Sequence, residues 1–219
     1  MAKKIKTLRN LEKDLIETPV RDSQPLIILD TGGLIDMVES ARNSSIGKSP
    51  EIDPVYRSPA SFFQYICYGR HRNGNLNPIV LVTPRTLEEI RRHKGVKINS
   101  HDYEISESEF KFAHDACERL KRITEIVNPY TDFDEVGLRI WLMSKGIYQN
   151  RCKKAEEGFS DVDREILTYA AYLTSSTLGK NRIMPVHVIS SDDHILRGAK
   201  QLEACGYFGA YPINTRNGS

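Results

Sequence analysis

Cysteine is sparse in this chain, with four in 219 residues, and Cys67, Cys117, Cys152 and Cys205 lie far apart. No two of them form a C-x-x-C pair, so the spacing supports neither a structural zinc site nor a disulfide framework. Reduced thiols in a cytoplasmic protein are the simplest account. No run approaches the ~18 apolar residues of a membrane span. The basic start Met1-Ala-Lys-Lys-Ile-Lys6 also lacks the apolar stretch of a secretory leader, so no membrane partner is expected. Charge of one sign is missing too: the net charge is only +2, and a nucleic-acid partner would have to be gripped by local basic patches.

What is present is an ordinary globular composition, 39% apolar and 27% charged, on a chain long enough for a substantial core. Four short apolar runs read as strands: Pro25–Leu29, Pro78–Val82, Val186–Ile189 and a weaker one within Phe208–Ile213. The first two are continuously hydrophobic, as strands covered on both faces are. Helical patterns alternate with them. Pro84–Lys94 has Thr83 as its N-cap, Pro84 at the first helical position and Gly95 beyond its end. Ser106–Val127 opens with Ser106 and Glu109 in capping-box spacing. Further helices are expected near Phe133–Lys145, Asp161–Leu173 and Ile195–Ala204. Strands alternating with helices imply an α/β fold, a three-layer α/β/α arrangement around a central parallel sheet. One domain over residues 25–215 follows an N-terminal arm (1–24), whose Lys3, Lys4 and Lys6 read as flexible and basic. Insertions, largely helical, are expected at about 41–77 and 96–158.

Carboxylates recur at the ends of these strands and the starts of these helices. Asp30 follows four apolar residues in Ile27-Ile-Leu-Asp-Thr-Gly-Gly-Leu34, at the edge where open α/β sheets bind ligands. Its structural reading is a turn or helix cap. Glu88 and Glu89 lie on the helix after the second strand, where Arg91 and Arg92 offer ordinary surface ion pairs. Asp161 and Asp163 open the helix that follows Ser160. Helical geometry sets Asp163 nearer the apolar stripe Val162, Ile166, Tyr169, Ala170 and Leu173, although both acids suit a first turn. Asp192 and Asp193 follow the third strand; adjacent acids at a buried strand end repel one another unless a cation or an N-cap role settles the cost. Together these positions can converge on one sheet edge as a hard-oxygen site for Mg²⁺ or Mn²⁺, able to activate water against a phosphodiester.

The constellation resembles the PIN-domain family of metal-dependent ribonucleases. The matching features are the strand-Asp-Thr-Gly run at Asp30, Thr86-Leu-Glu-Glu-Ile90, Asp163 with Ile166 and Ala170, and Ile189-Ser-Ser-Asp192. The resemblance covers residues 25–40, 78–94 and 159–213. It implies an acidic core of Asp30, Glu89, Asp163 and Asp192, with Asp161 and Asp193 as assisting metal ligands and Ser190 in the hydroxyl position. It implies hydrolysis of RNA, a homodimer as one assembly, and a protein inhibitor as one partner. Arg91, Arg92 and Lys94 lie beside Glu89 and could track a phosphate backbone. The long insertions depart from the family's compact toxins. The rival reading is a PIN-like module that binds RNA or protein without cutting. An aspartic protease, suggested by Leu29-Asp-Thr-Gly32, would need an all-β fold, and a haloacid dehalogenase-type phosphatase would need an aspartate where Gly32 sits.

Overall fold

The computed structural model describes residues 6–7, 26–36, 79–92, 123, 133–149, 158–174, 185–207 and 209–215. Among them the chain forms one sheet of five parallel strands: β1 (Lys6–Thr7), β2 (Leu26–Leu29), β3 (Ile79–Leu81), β4 (Val186–Ser190) and β5 (Ala210–Asn214). Their spatial order is β1-β5-β4-β2-β3. The helices are α1 (Pro84–Arg92), α2 (Glu135–Ser144), α3 (Asp161–Thr174) and α4 (Asp193–Leu202), with a 3₁₀ turn at Glu203–Cys205. Residues 31–36 are also helical.

β2 and β4 are buried along their whole length, which a central parallel strand requires. On one face, Leu26, Ile28, Leu81, Val186 and Val188 join a single core with Ile166, Leu167 and Ala170 of α3 and with Ile195, Ala199 and Leu202 of α4. Ile27, Leu29 and Ile189 point to the opposite face and are buried as completely. Both faces of the sheet are therefore covered, consistent with three layers. No helix among the described residues is long and apolar enough to cross a membrane.

The helices begin where their sequences direct. Thr83 Oγ1 accepts from the Thr86 N–H at 3.2 Å, so Thr83 caps α1 and Pro84 takes the first helical position. α3 is buried on all sides from Glu165 to Thr174. Besides the sheet it packs against α1, α2 and α4, so its buried surface exceeds the single stripe that periodicity marks. α4 ends in the 3₁₀ turn, and the chain leaves through Gly206 in the left-handed region, φ 93°.

One expectation is revised and another is met. Lys6–Thr7, placed in the N-terminal arm, pairs in parallel with Ile213 and Asn214 and extends the sheet past β5. A lysine-threonine pair has no apolar run to mark it as a strand, and the neighbouring ladder supplies the order. The second helix of the 96–158 stretch is present as α2, capped by Asp134, whose Oδ1 accepts from the Gly137 N–H at 2.8 Å. The helix expected over Ser106–Val127, apart from Ile123, and the insertion at 41–77 lie outside the described residues.

Chain order and strand order disagree at two places, where β1 lies beside β5 and where β4 lies beside β2. From β2 the chain moves to β3 on one side; from β4 it moves to β5 on the other. The crevice at the carboxyl ends of β2 and β4 is thus the topological switch point, the usual ligand position of open α/β sheets. Gly33 permits the first turn after β2 to lie against β4 there: a Cβ at this position would sit 2.9 Å from the Ile189 carbonyl oxygen, a backbone atom that cannot swing away. Gly33→Ala should therefore lower the midpoint of urea unfolding, by about 1–3 kcal/mol of stability, as expected of overpacking a tight contact. An unchanged midpoint would mean that this approach is looser than described.

Candidate functional site

Asp30 is the centre of the switch-point crevice. The register pairs Leu29 with Ile189, so the next residue of each strand falls at the same level, and Asp30 comes beside Ser190. The Asp30 N–H donates to the Ile189 carbonyl at 3.0 Å, continuing the ladder by one residue. The Ser190 hydroxyl then donates to Asp30 Oδ2 at 2.7 Å, and the Gly32 N–H approaches the same oxygen at 3.2 Å. Ser190 Oγ in turn accepts from the Asp192 N–H at 2.9 Å. A single fully buried hydroxyl thus joins the two carboxylate-bearing loops.

The other acids arrive from three helices. Glu89, on α1, accepts a 2.5 Å hydrogen bond at Oε2 from the Thr31 hydroxyl. Asp163 lies in the first turn of α3 and exchanges hydrogen bonds with Ser160: the Ser160 N–H donates to Asp163 Oδ2 at 2.8 Å, and the Asp163 N–H donates to Ser160 Oγ at 3.1 Å. This is the reciprocal bonding of a capping box with aspartate in the acidic position. Asp192 caps α4, its Oδ1 accepting from the His194 N–H at 2.6 Å with His194 Nδ1 3.6 Å away.

Their charges meet at Asp30. Burial pushes the Asp30 carboxyl up to about 7; the Ser190 hydrogen bond opposes this, while Asp163, Glu89 and Asp192 raise it further. Burial also raises Asp163, against its two hydrogen bonds from Ser160, with Asp192 and Glu89 adding to the rise. The four acids singled out in the sequence therefore act on one another electrostatically across the same crevice.

The remaining sequence-predicted residues fall elsewhere. Asp161 is ringed by arginines: Arg139 Nη2 at 2.6 Å, Arg85 Nη1 at 3.3 Å and Arg164 Nη1 at 3.7 Å. Asp193 pairs with Arg197 at 3.7 Å, one turn along α4. Arg92 is exposed and pairs with Glu88, the surface ion pair expected of that helix. Arg91 is helical, and its side chain, like the whole of Lys94, lies outside the described residues.

Sequence reasoning missed two contributors. Thr31 orients Glu89, and the signal was a hydroxyl directly after Asp30. Glu165 is buried in α3, and its Oε2 accepts from the Arg85 N–H at 3.0 Å, completing the start of α1. Burial raises its carboxyl, opposed by hydrogen bonds from Thr83 and Arg85. Periodicity carries no mark for it, because its partners come from another helix.

The donor chemistry of the crevice, carboxylates without Cys or His, fits a hard divalent cation. Among the described residues no three Asp, Glu, His or Cys side chains already lie together as a metal cage. Each acid is instead held by its own hydrogen bond, so ligation would require carboxylates to turn from these partners. No family model, curated protein or solved structure matches the chain.

The buried charge sets a pH dependence. Asp30 binds its proton more tightly in the folded protein, with about 7 against an ordinary 3.8. Its stabilising share is therefore complete below about pH 4 and lost as pH rises through 7. In calorimetry, Asp30→Asn should lose less thermal stability than wild type between pH 4 and pH 8, and should exceed it at the upper end. Parallel pH profiles for the two proteins would contradict this burial of charge.

Proposed function

We propose that the chain is a metal-dependent ribonuclease of PIN-like type, hydrolysing RNA phosphodiester bonds at the crevice between the ends of β2 and β4. The observation that carries this reading is the placement of buried Asp30 at the carboxyl end of β2, hydrogen-bonded to Ser190 of β4, with Glu89 tied to the next residue, Thr31. Burial and the charges of Asp163, Glu89 and Asp192 raise its proton affinity. Folding incurs this electrostatic cost at a topological switch point, and a divalent cation would relieve it.

Asp30, Glu89, Asp163 and Asp192 would hold Mg²⁺ or Mn²⁺, which when bound supplies an activated water and neutralises charge developing on the phosphoryl oxygens. The protein's own part is orientation. Ser190 holds Asp30 and the Asp192 backbone in one line of hydrogen bonds. Thr31 holds Glu89, and Ser160 fixes Asp163 at its helix start. With its carboxyl pushed up to about 7, Asp30 is partly protonated near neutral pH, and releasing that proton on ligation would make the site's affinity for a cation rise with pH.

The second reading, a module that binds RNA or protein without cutting, draws support from the hydrogen bonds that already occupy each acid. The two readings part on one assay. Labelled single-stranded RNA should be cleaved by wild type with Mn²⁺ or Mg²⁺, and EDTA should stop the reaction. Asp192→Asn should reduce the rate by about 100-fold or more, as expected when a ligand of the cation that would neutralise the transition state is lost. RNA left intact by folded wild type, under either metal, would leave the binding module as the reading.

A further inference from the structure

A second charged cluster lies one helical turn from the acids. Arg85, Arg139 and Arg164 converge from α1, α2 and α3 on the single carboxylate of Asp161. Arg85 stands four residues before Glu89, on the same face of α1. Asp161 stands two residues before Asp163 in the first turn of α3, on a different face of that helix. The cluster therefore reaches the crevice side through Arg85, where α1 and α3 pack together.

Among the described residues its ion pairs are uneven. Three guanidinium groups lie within 4 Å of Asp161, and the further carboxylate paired with them there, Glu165, lies 3.9 Å from Arg85 Nε and is raised by burial, with Glu135 near enough to add to that rise. An exposed structural ion pair needs one arginine, and gathering three costs mutual repulsion. Arg164 adds a second sign of an unmet partner: its Nε is buried without a hydrogen bond. The site is nonetheless open, for the Asp161 side chain is 58% exposed and those of Arg85 and Arg164 are 44% and 42% exposed. Planar guanidinium groups with spare N–H donors match the oxygens of a phosphate, which they bind in forked pairs.

We infer that Arg85, Arg139 and Arg164 form a phosphate-holding subsite for single-stranded RNA, taking a backbone phosphate beside the one that lies among the carboxylates. Asp161 is the counter-ion that keeps the three groups together in the free protein and competes with the incoming phosphate. This assignment rests on the RNA reading above, but it concerns binding and requires no cleavage. It also gives Asp161 a role apart from metal ligation.

The test is fluorescence anisotropy with a labelled single-stranded oligouridylate in EDTA, across a range of salt. Arg139→Gln should weaken binding about tenfold, the loss of one hydrogen bond to a charged group. It should also reduce the salt slope by about 0.7, one phosphate contact on a single strand. Asp161→Asn should tighten binding, an outcome that a poorly folded variant cannot imitate. Equal affinity of wild type and folded Arg139→Gln, or weaker binding by folded Asp161→Asn, would overturn the subsite. So would competition by inorganic phosphate for the arginines with no measurable RNA binding, which would assign them to a free anion. Asp192→Asn should keep the same arginine dependence. If no protein cleaves RNA while this dependence holds, the nuclease reading fails and the subsite survives.

Discussion

Parallel pairing of β2 with β4 governs everything at the candidate site. The two strands are linked through residues 160 positions apart, and their register brings Leu29 and Ile189 level. Each strand then ends in a polar side chain at the same height, one an acid and one a hydroxyl. The Ser190–Asp30 hydrogen bond forms inside the crevice, where water is excluded and an unpartnered oxygen would be costly. A slip of one residue by either strand would turn its polar group to the opposite face of the sheet and separate the pair. The apolar residues on both faces of β2 and β4 resist that slip, so the core holds the chemistry in place.

Every acid near Asp30 also has a structural duty. Asp163 completes a reciprocal cap with Ser160, Asp192 caps α4, and Glu89 receives the Thr31 hydroxyl. These are the roles that sequence reasoning sets against function at each position, and here the local bonds are observed while the charges still converge. Helix starts suit such double use. A carboxylate is favoured there by the helix dipole, and the carboxyl edge of a parallel sheet is where helices such as α1 and α4 begin. The fold thus offers sites for acids cheaply one at a time, and the cost appears only in their sum at Asp30.

Much of the fold was legible because its signals are local. The four apolar runs became β2 to β5, the Thr83-Pro84 start became the capped beginning of α1, and Gly206 ended the last helical segment. Asp30 and Ser190 could be placed because each follows directly on an apolar strand. β1 could not be read, since Lys6 and Thr7 take their conformation from the β5 ladder beside them. The full burial of α3 exceeded its stripe because three helices and the sheet surround it. Glu165 and the arginines around Asp161 were hidden for a related reason. Their meaning lies in contacts between α1, α2 and α3, and a helical period describes only one helix at a time.

The position of β4 has a consequence for assembly of the chain. It lies between β2 and β5, yet it follows β3 by nearly half the sequence, and β1 pairs with a strand close to the opposite end. Few of the ladders can close between near neighbours, so loop closure must precede most of the stabilising contacts. On a ribosome, β2 and β3 would emerge as a buried-type pair long before their central partner exists. Their exposed apolar edges would need shielding during that interval, which makes this a slow-folding topology with a period of vulnerability to aggregation.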